Sequence, residues 1–107
     1  MKTPNYENAY VEEEKIVKYL LSEDNSKGKA TFFFKMGFSI EKWQLLRSAL
    51  LIHIATHDFK QVMESPHGIK YIIEGELQTP EGRMPIVRTI WIMMEDGRAR
   101  LISAYPI

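Results

Sequence analysis

The period of the hydrophobic pattern changes near residue 58. Ahead of that point apolar residues recur at helical spacing. Ile16, Val17, Leu20 and Leu21 follow the acidic run Glu12-Glu13-Glu14, whose charge suits the first turn of a helix, and the pattern predicts a helix over 11–22. A longer helix is expected over about 40–57, with Ser39 as its N-cap. There Trp43, Leu46, Leu50 and Ile54 form one stripe, and Leu45, Ala49 and Ile52 fill the opposite side. A helix apolar almost all round should be deeply packed. Between the two, Phe32-Phe33-Phe34 suits either a short buried helix or a strand. Gly37 at its end reads as a helix C-cap and favours the helix.

Behind residue 58 the pattern is strand-like and is cut by Ser65-Pro66-His67-Gly68, Thr79-Pro80-Glu81-Gly82 and Glu95-Asp96-Gly97-Arg98. Proline presets φ at the second turn position, and glycine accepts the positive φ needed to re-enter a strand. The pieces left over, roughly 59–65, 69–77, 84–94 and 98–105, predict four antiparallel strands joined in sequence. In the third, Ile86, Arg88, Ile90 and Ile92 share one face while Val87, Thr89, Trp91 and Met93 share the other. Both faces are mostly apolar, so this strand should be central, with helices covering at least one side. The expected fold class is α+β: two or three N-terminal helices packed on a four-stranded antiparallel meander sheet. We expect one domain over 1–107, residues 1–10 forming an irregular arm, and a core that includes Phe33, Trp43, Leu46, Leu50, Ile54, Ile90 and Ile92.

Composition narrows the function classes. With 45% hydrophobic and 26% charged residues the 107-residue chain has the make-up of an ordinary globular domain. The absence of cysteine excludes disulfides, thiolate metal sites and cysteine nucleophiles together. No run approaches the ~18 apolar residues of a membrane span and the N-terminus has no signal-peptide core, so no membrane partner and a cytosolic location are expected. Net charge is zero, which argues against a broad basic surface. Acidic residues outnumber basic ones six to four in 1–28, while basic ones lead four to two in 29–58. An anion site must therefore be local, built from a few Lys and Arg side chains.

Polar residues inside the last two strands are the best pointers to such a site. Arg88 in an apolar strand needs an anionic partner or an open sheet face, because an unpaired buried charge is prohibitively costly. It is either a ligand-binding arginine or half of a salt bridge. Thr89 points to the other face. Ser103 and Tyr105 are two apart and share a face with Leu101 before them, and a tyrosine there can donate to a phosphate or serve as a weak acid. His53 and His57 share a helix face at a spacing compatible with two metal ligands, yet no third ligand accompanies them, so no metal and no other cofactor is expected. His57 alone could serve as a general base. Lys27-Gly28-Lys29 is a short basic loop without the GxxxxGK[ST] pattern of a phosphate-binding loop, and Lys29 is its most useful member.

Five segments together carry a resemblance: Lys15-Ile16-Val17-Lys18-Tyr19-Leu20-Leu21, Gly28-Lys29-Ala30-Thr31-Phe32-Phe33, Gly37-Phe38-Ser39, Val87-Arg88-Thr89-Ile90-Trp91 and Leu101-Ile102-Ser103-Ala104-Tyr105-Pro106. The chain resembles a bacterial family of uncharacterised domains of about this length. Ile102-Ser103 stands where the family's ending has Val-Thr, which keeps a hydroxyl. More remotely it is similar to toxin domains of the barnase, EndoU, colicin and RelE grouping of ribonucleases. That likeness implies metal-independent cleavage of RNA phosphodiesters: Arg88 would clamp the phosphate, Lys29 would add charge, Tyr105 with Ser103 or Thr89 would orient or protonate oxygens, and His57 would be the base. It also implies a cognate antitoxin or immunity protein as partner. The alternative is a non-catalytic interaction domain that neutralises a toxin or serves in assembly, and a closed pair between Arg88 and Glu74 or Glu76 would favour it.

Overall fold

The computed structural model describes all of residues 1–107. Three helical segments precede four strands: α1, Glu13–Lys15 running on as a wider turn over Ile16–Leu20; α2, Lys29–Lys35; α3, Trp43–Thr56; then β1, Phe59–Ser65, β2, Gly68–Glu76, β3, Ile86–Met93, and β4, Ala99–Pro106. The strands pair antiparallel in the order β1-β2-β3-β4, as short turns require. Gly68 at the start of β2, Gly82 within the β2–β3 connection and Gly97 in the β3–β4 turn all have positive φ. No helix is long and apolar enough to cross a membrane.

The triple phenylalanine is helical. Its end shows why: Phe38 N–H donates to Phe33 O and Gly37 N–H to Phe34 O, both closing a Schellman motif around Gly37 at φ 98°. The Phe33 and Phe38 rings meet edge to face across it at 6.1 Å, the hydrophobic contact that accompanies this cap. At the other end the buried Ser26 hydroxyl accepts the Ala30 N–H at 2.9 Å, which starts α2 at Lys29.

All three helices lie on one face of the sheet. The core joins Ile16, Leu20 and Leu21 of the α1 region, Phe33, and Leu46, Leu50 and Ile54 of α3 to Ile73, Val87, Trp91, Leu101 and Ala104 of the sheet. Of the expected core residues Trp43 and Ile90 are half-buried and the other five buried.

Four expectations are corrected. Leu45 and Ile52 are 46% and 39% exposed, because α3 has the sheet on one side only and its outer side meets solvent. Ser39 caps the turn before α3 rather than α3 itself, its hydroxyl accepting the Lys42 N–H at 3.2 Å. The arm is partly ordered as a strap: Phe59 N–H donates to Met1 O, residues 6–8 form a 3₁₀ turn, and Tyr10 pairs in parallel with Arg100, covering part of the outer edge of β4. Leu101 does not share a face with Ser103 and Tyr105. Register skips Ile102, so this one-residue bulge turns Leu101 into the core while Ser103 and Tyr105 stay on the open face.

Candidate functional site

Register decides which polar side chains meet. Glu74 lies opposite Arg88, and Arg88 opposite Tyr105, all three on the face that the helices leave open. A second skip in register, at Lys60 between Phe59 and Gln61, directs the Lys60 ammonium onto Glu74 at 2.8 Å. Arg88 Nε donates to Glu74 Oε2 at 2.7 Å, Nη2 donates to the same oxygen, and Nη1 reaches Tyr105 Oη at 3.4 Å. The Lys60 and Arg88 bonds hold the Glu74 carboxyl below the usual carboxylate range despite partial burial. The Tyr105 and Glu74 bonds raise Arg88 in turn.

The row continues past the sheet. Lys29, the first residue of α2, sits with its ammonium 5.8 Å from the Tyr105 ring centre and 5.2 Å from that of Tyr19. Lys15 also approaches the Tyr19 ring, at 4.9 Å. The wide turn over Ile16–Leu20, closed by Leu21 N–H on Ile16 O, buries Ile16, Leu20 and Leu21 together and leaves Tyr19 facing Lys29 and Ser103. Burial alone would push the Tyr19 phenol up. The bonds to Ser103 and Lys29 and the charges of Lys29 and Lys15 outweigh it and hold the phenol below its ordinary value. A cleft of about 350 Å³ opens beside the row, lined by Lys27, Gly28, Lys29, Tyr105 and Pro106.

Four of the six residues singled out in the sequence, Arg88, Tyr105, Lys29 and Ser103, are therefore gathered on this side. The other two are not. Thr89 and His57 lie on the helix-covered face, in a separate polar cluster with His53. His53 Nε2 meets the carbonyls of Gly75 and Val87, each at 3.1 Å, and its Nδ1 meets Thr89 Oγ1 at 3.1 Å, while Trp91 Nε1–H donates to the same hydroxyl at 2.9 Å. With two carbonyls facing Nε2, the proton belongs there, so Nδ1 accepts from Thr89. Burial pushes His53 down to about 4, and the nearby His57 adds to the effect while the carbonyl bonds oppose it. His57 donates or accepts at Nδ1 with Thr56 Oγ1 and faces His53 O at 3.0 Å. Its ring lies against Gly75 so closely that any Cβ there would collide with it.

Tyr19 and Lys15 went unrecognised as members of the row, beside Lys29 and Ser103. Glu74 was legible as an ion-pair candidate across the hairpin; Tyr19 and Lys15 carried no signal of their own, since their meeting with Ser103 and Lys29 is long-range. His67 is exposed in the β1–β2 turn. No group of three or more His, Asp or Glu side chains is placed to hold a metal ion.

Helices on one face of a four-stranded antiparallel meander, with an ionic and phenolic row on the other, define the class of protein. The chain belongs to the family described as Domain of unknown function (DUF6883), whose model matches residues 2–107. No curated protein matches its sequence. Among solved structures it is similar to a chain of a contact-dependent growth inhibition toxin–immunity protein complex from Klebsiella pneumoniae 342, at 18% identity and a TM-score of 0.73, over 94% of this chain and 95% of that one. At that identity the likeness is one of fold.

Proposed function

We propose that this domain is an RNA-cleaving member of a toxin–immunity system, acting without a metal on phosphodiesters at the open sheet face. The observation that carries the reading is the meeting of Glu74, Arg88, Tyr105 and Lys29 in one half-exposed row. Cleavage by the neighbouring 2′-hydroxyl needs a base, an acid and cationic stabilisation of the phosphorane. Glu74 takes the base role in place of His57, which lies behind the sheet, and removes the 2′-hydroxyl proton. Arg88 and Lys29 hold the phosphate oxygens as negative charge builds, the planar guanidinium being suited to gripping two of them. The bond from phosphorus to the 5′-oxygen then breaks, and Tyr105 protonates that oxygen, leaving a 2′,3′-cyclic phosphate and a free 5′-hydroxyl. Ser103 orients Tyr19 beside Lys29. An RNA substrate places this action in the cytosol. The named setting of the similar structure, a toxin–immunity complex, supports the system and an immunity protein as partner.

The closed Lys60–Glu74–Arg88 arrangement favours a second reading, a non-catalytic interaction domain that neutralises or assembles with a partner. One experiment separates the two. Purified protein is incubated with RNA and with the same sequence carrying 2′-deoxyribose, and the ends are analysed. Cleavage of RNA only, with cyclic phosphate ends, and a loss of roughly 10²–10³-fold in Arg88→Ala at a nearly unchanged thermal midpoint support the nuclease. No cleavage or binding, or unfolding of Arg88→Ala, replaces it with the interaction domain.

A further inference from the structure

The polar cluster behind the sheet lands on the backbone that carries the polar row in front of it. His53 bonds the carbonyl of Gly75, the residue after Glu74, and the carbonyl of Val87, the residue before Arg88. Through Nδ1 it bonds the side chain of Thr89, the residue after Arg88. Arg88 is thus bracketed on both sides, and Glu74 on one, by contacts to a single imidazole. Gly75 and Val87 are also register partners, next to the Glu74–Arg88 pair. The imidazole is 1% exposed, and every polar atom of it is engaged. The Thr89 hydroxyl is as fully committed, accepting from Trp91 and donating to His53. A threonine used only to build a strand would need neither bond.

We infer that His53, locked as the Nε2–H tautomer by Thr89, is a positioning residue that holds β2 and β3 so that Glu74 and Arg88 keep their paired geometry on the opposite face. Small errors of placement at such a pair are expensive, since a displacement of ~1 Å can cost ~10²-fold in rate. Side chains on the two faces share one backbone, so a shift of the Gly75 and Val87 carbonyls moves the Cα atoms that aim Glu74 and Arg88. The groups facing His53 are His57 on its own helix, whose charge when protonated opposes a second one here, Thr89 on β3, and Glu76, which lines with it a cleft of about 300 Å³. This inference rests on the catalytic reading for its kinetic consequence alone.

Thr89→Val removes the hydroxyl at nearly constant shape, and Thr89→Ser restores it. The Glu74 carboxyl is followed by carbon NMR against pH, and the Arg88 Nε–H by its proton resonance. In Thr89→Val the Glu74 midpoint should rise toward the ordinary carboxylate value and the Arg88 Nε–H should exchange faster, with both reverting in Thr89→Ser. The value of kcat for RNA cleavage should fall ~10–100-fold while KM changes less than about twofold. A Thr89→Val protein that is merely less stable, with the Glu74 titration and Arg88 signal of the wild type, overturns the inference. So does nitrogen NMR of the wild type showing the His53 proton on Nδ1, a measurement that needs no variant to fold. If the wild type cleaves no RNA, the nuclease reading falls and the two NMR measurements still decide the positioning role.

Discussion

Arg88 and Thr89 are neighbours in sequence and live in opposite environments. Around Thr89 everything is buried: the hydroxyl, the His53 imidazole and the Trp91 indole are neutral and satisfy one another. Around Arg88 the side chains are charged and partly wet, Arg88 being 35% and Glu74 14% exposed. Both clusters occupy strand positions where plain apolar residues would make a simpler sheet. The back cluster avoids charge because ionising a group there would strip it of water, whereas the front row keeps charge because solvent and opposite charges compensate it. The back therefore behaves as core and the front as a surface able to exchange partners.

His53→Ala should damage the back cluster most. It leaves a cavity and an unpartnered Thr89 hydroxyl proton, and the expected loss is ~3–5 kcal/mol in denaturant unfolding at neutral pH. A loss below ~1 kcal/mol would show that the back cluster is not structural.

Acid should act on the same group with a slightly smaller effect. His53 in the folded chain is lowered from 6.5 to about 4, so between those values the unfolded chain binds the extra proton. Stability is therefore complete above about pH 6.5, falls as pH drops toward 4, and gains no further slope from this residue below that. The shift corresponds to about 3 kcal/mol at most. Glu74, also lowered, works in the same direction at more acidic pH, its contribution fading as pH falls through its folded value. Histidine titrations followed by proton NMR alongside unfolding curves at several pH values would test this, and a His53 midpoint near 6.5 would contradict it.

The smallest effect belongs to the front. Arg88→Met keeps much of the packing and leaves Glu74 with Lys60, so stability should change by less than ~1 kcal/mol with the denaturant slope unchanged. A cost of several kcal/mol would make Arg88 part of the core and remove the contrast between the faces.

The sequence alone determined the meander and its strand order, since Gly at three turns, preceded by Pro at two of them, breaks the chain into strands joined by short connections. It also favoured a helix stopped at Gly37 for the triple phenylalanine, and it set Arg88 and Thr89 on opposite faces, because side-chain direction alternates with a period of two. Tertiary structure decided the rest. Single-residue irregularities at Lys60 and Ile102 reset which residues face the open side, and a bulge leaves no clear mark in the hydrophobic pattern. The approach of Tyr19 and Lys29 to Ser103 and Tyr105 comes from helix packing across most of the chain length. The pairing of Glu74 with Arg88 and the removal of His57 to the far face follow from strand register and from which side α3 covers, and these are settled only when the apolar faces of helix and sheet close on each other.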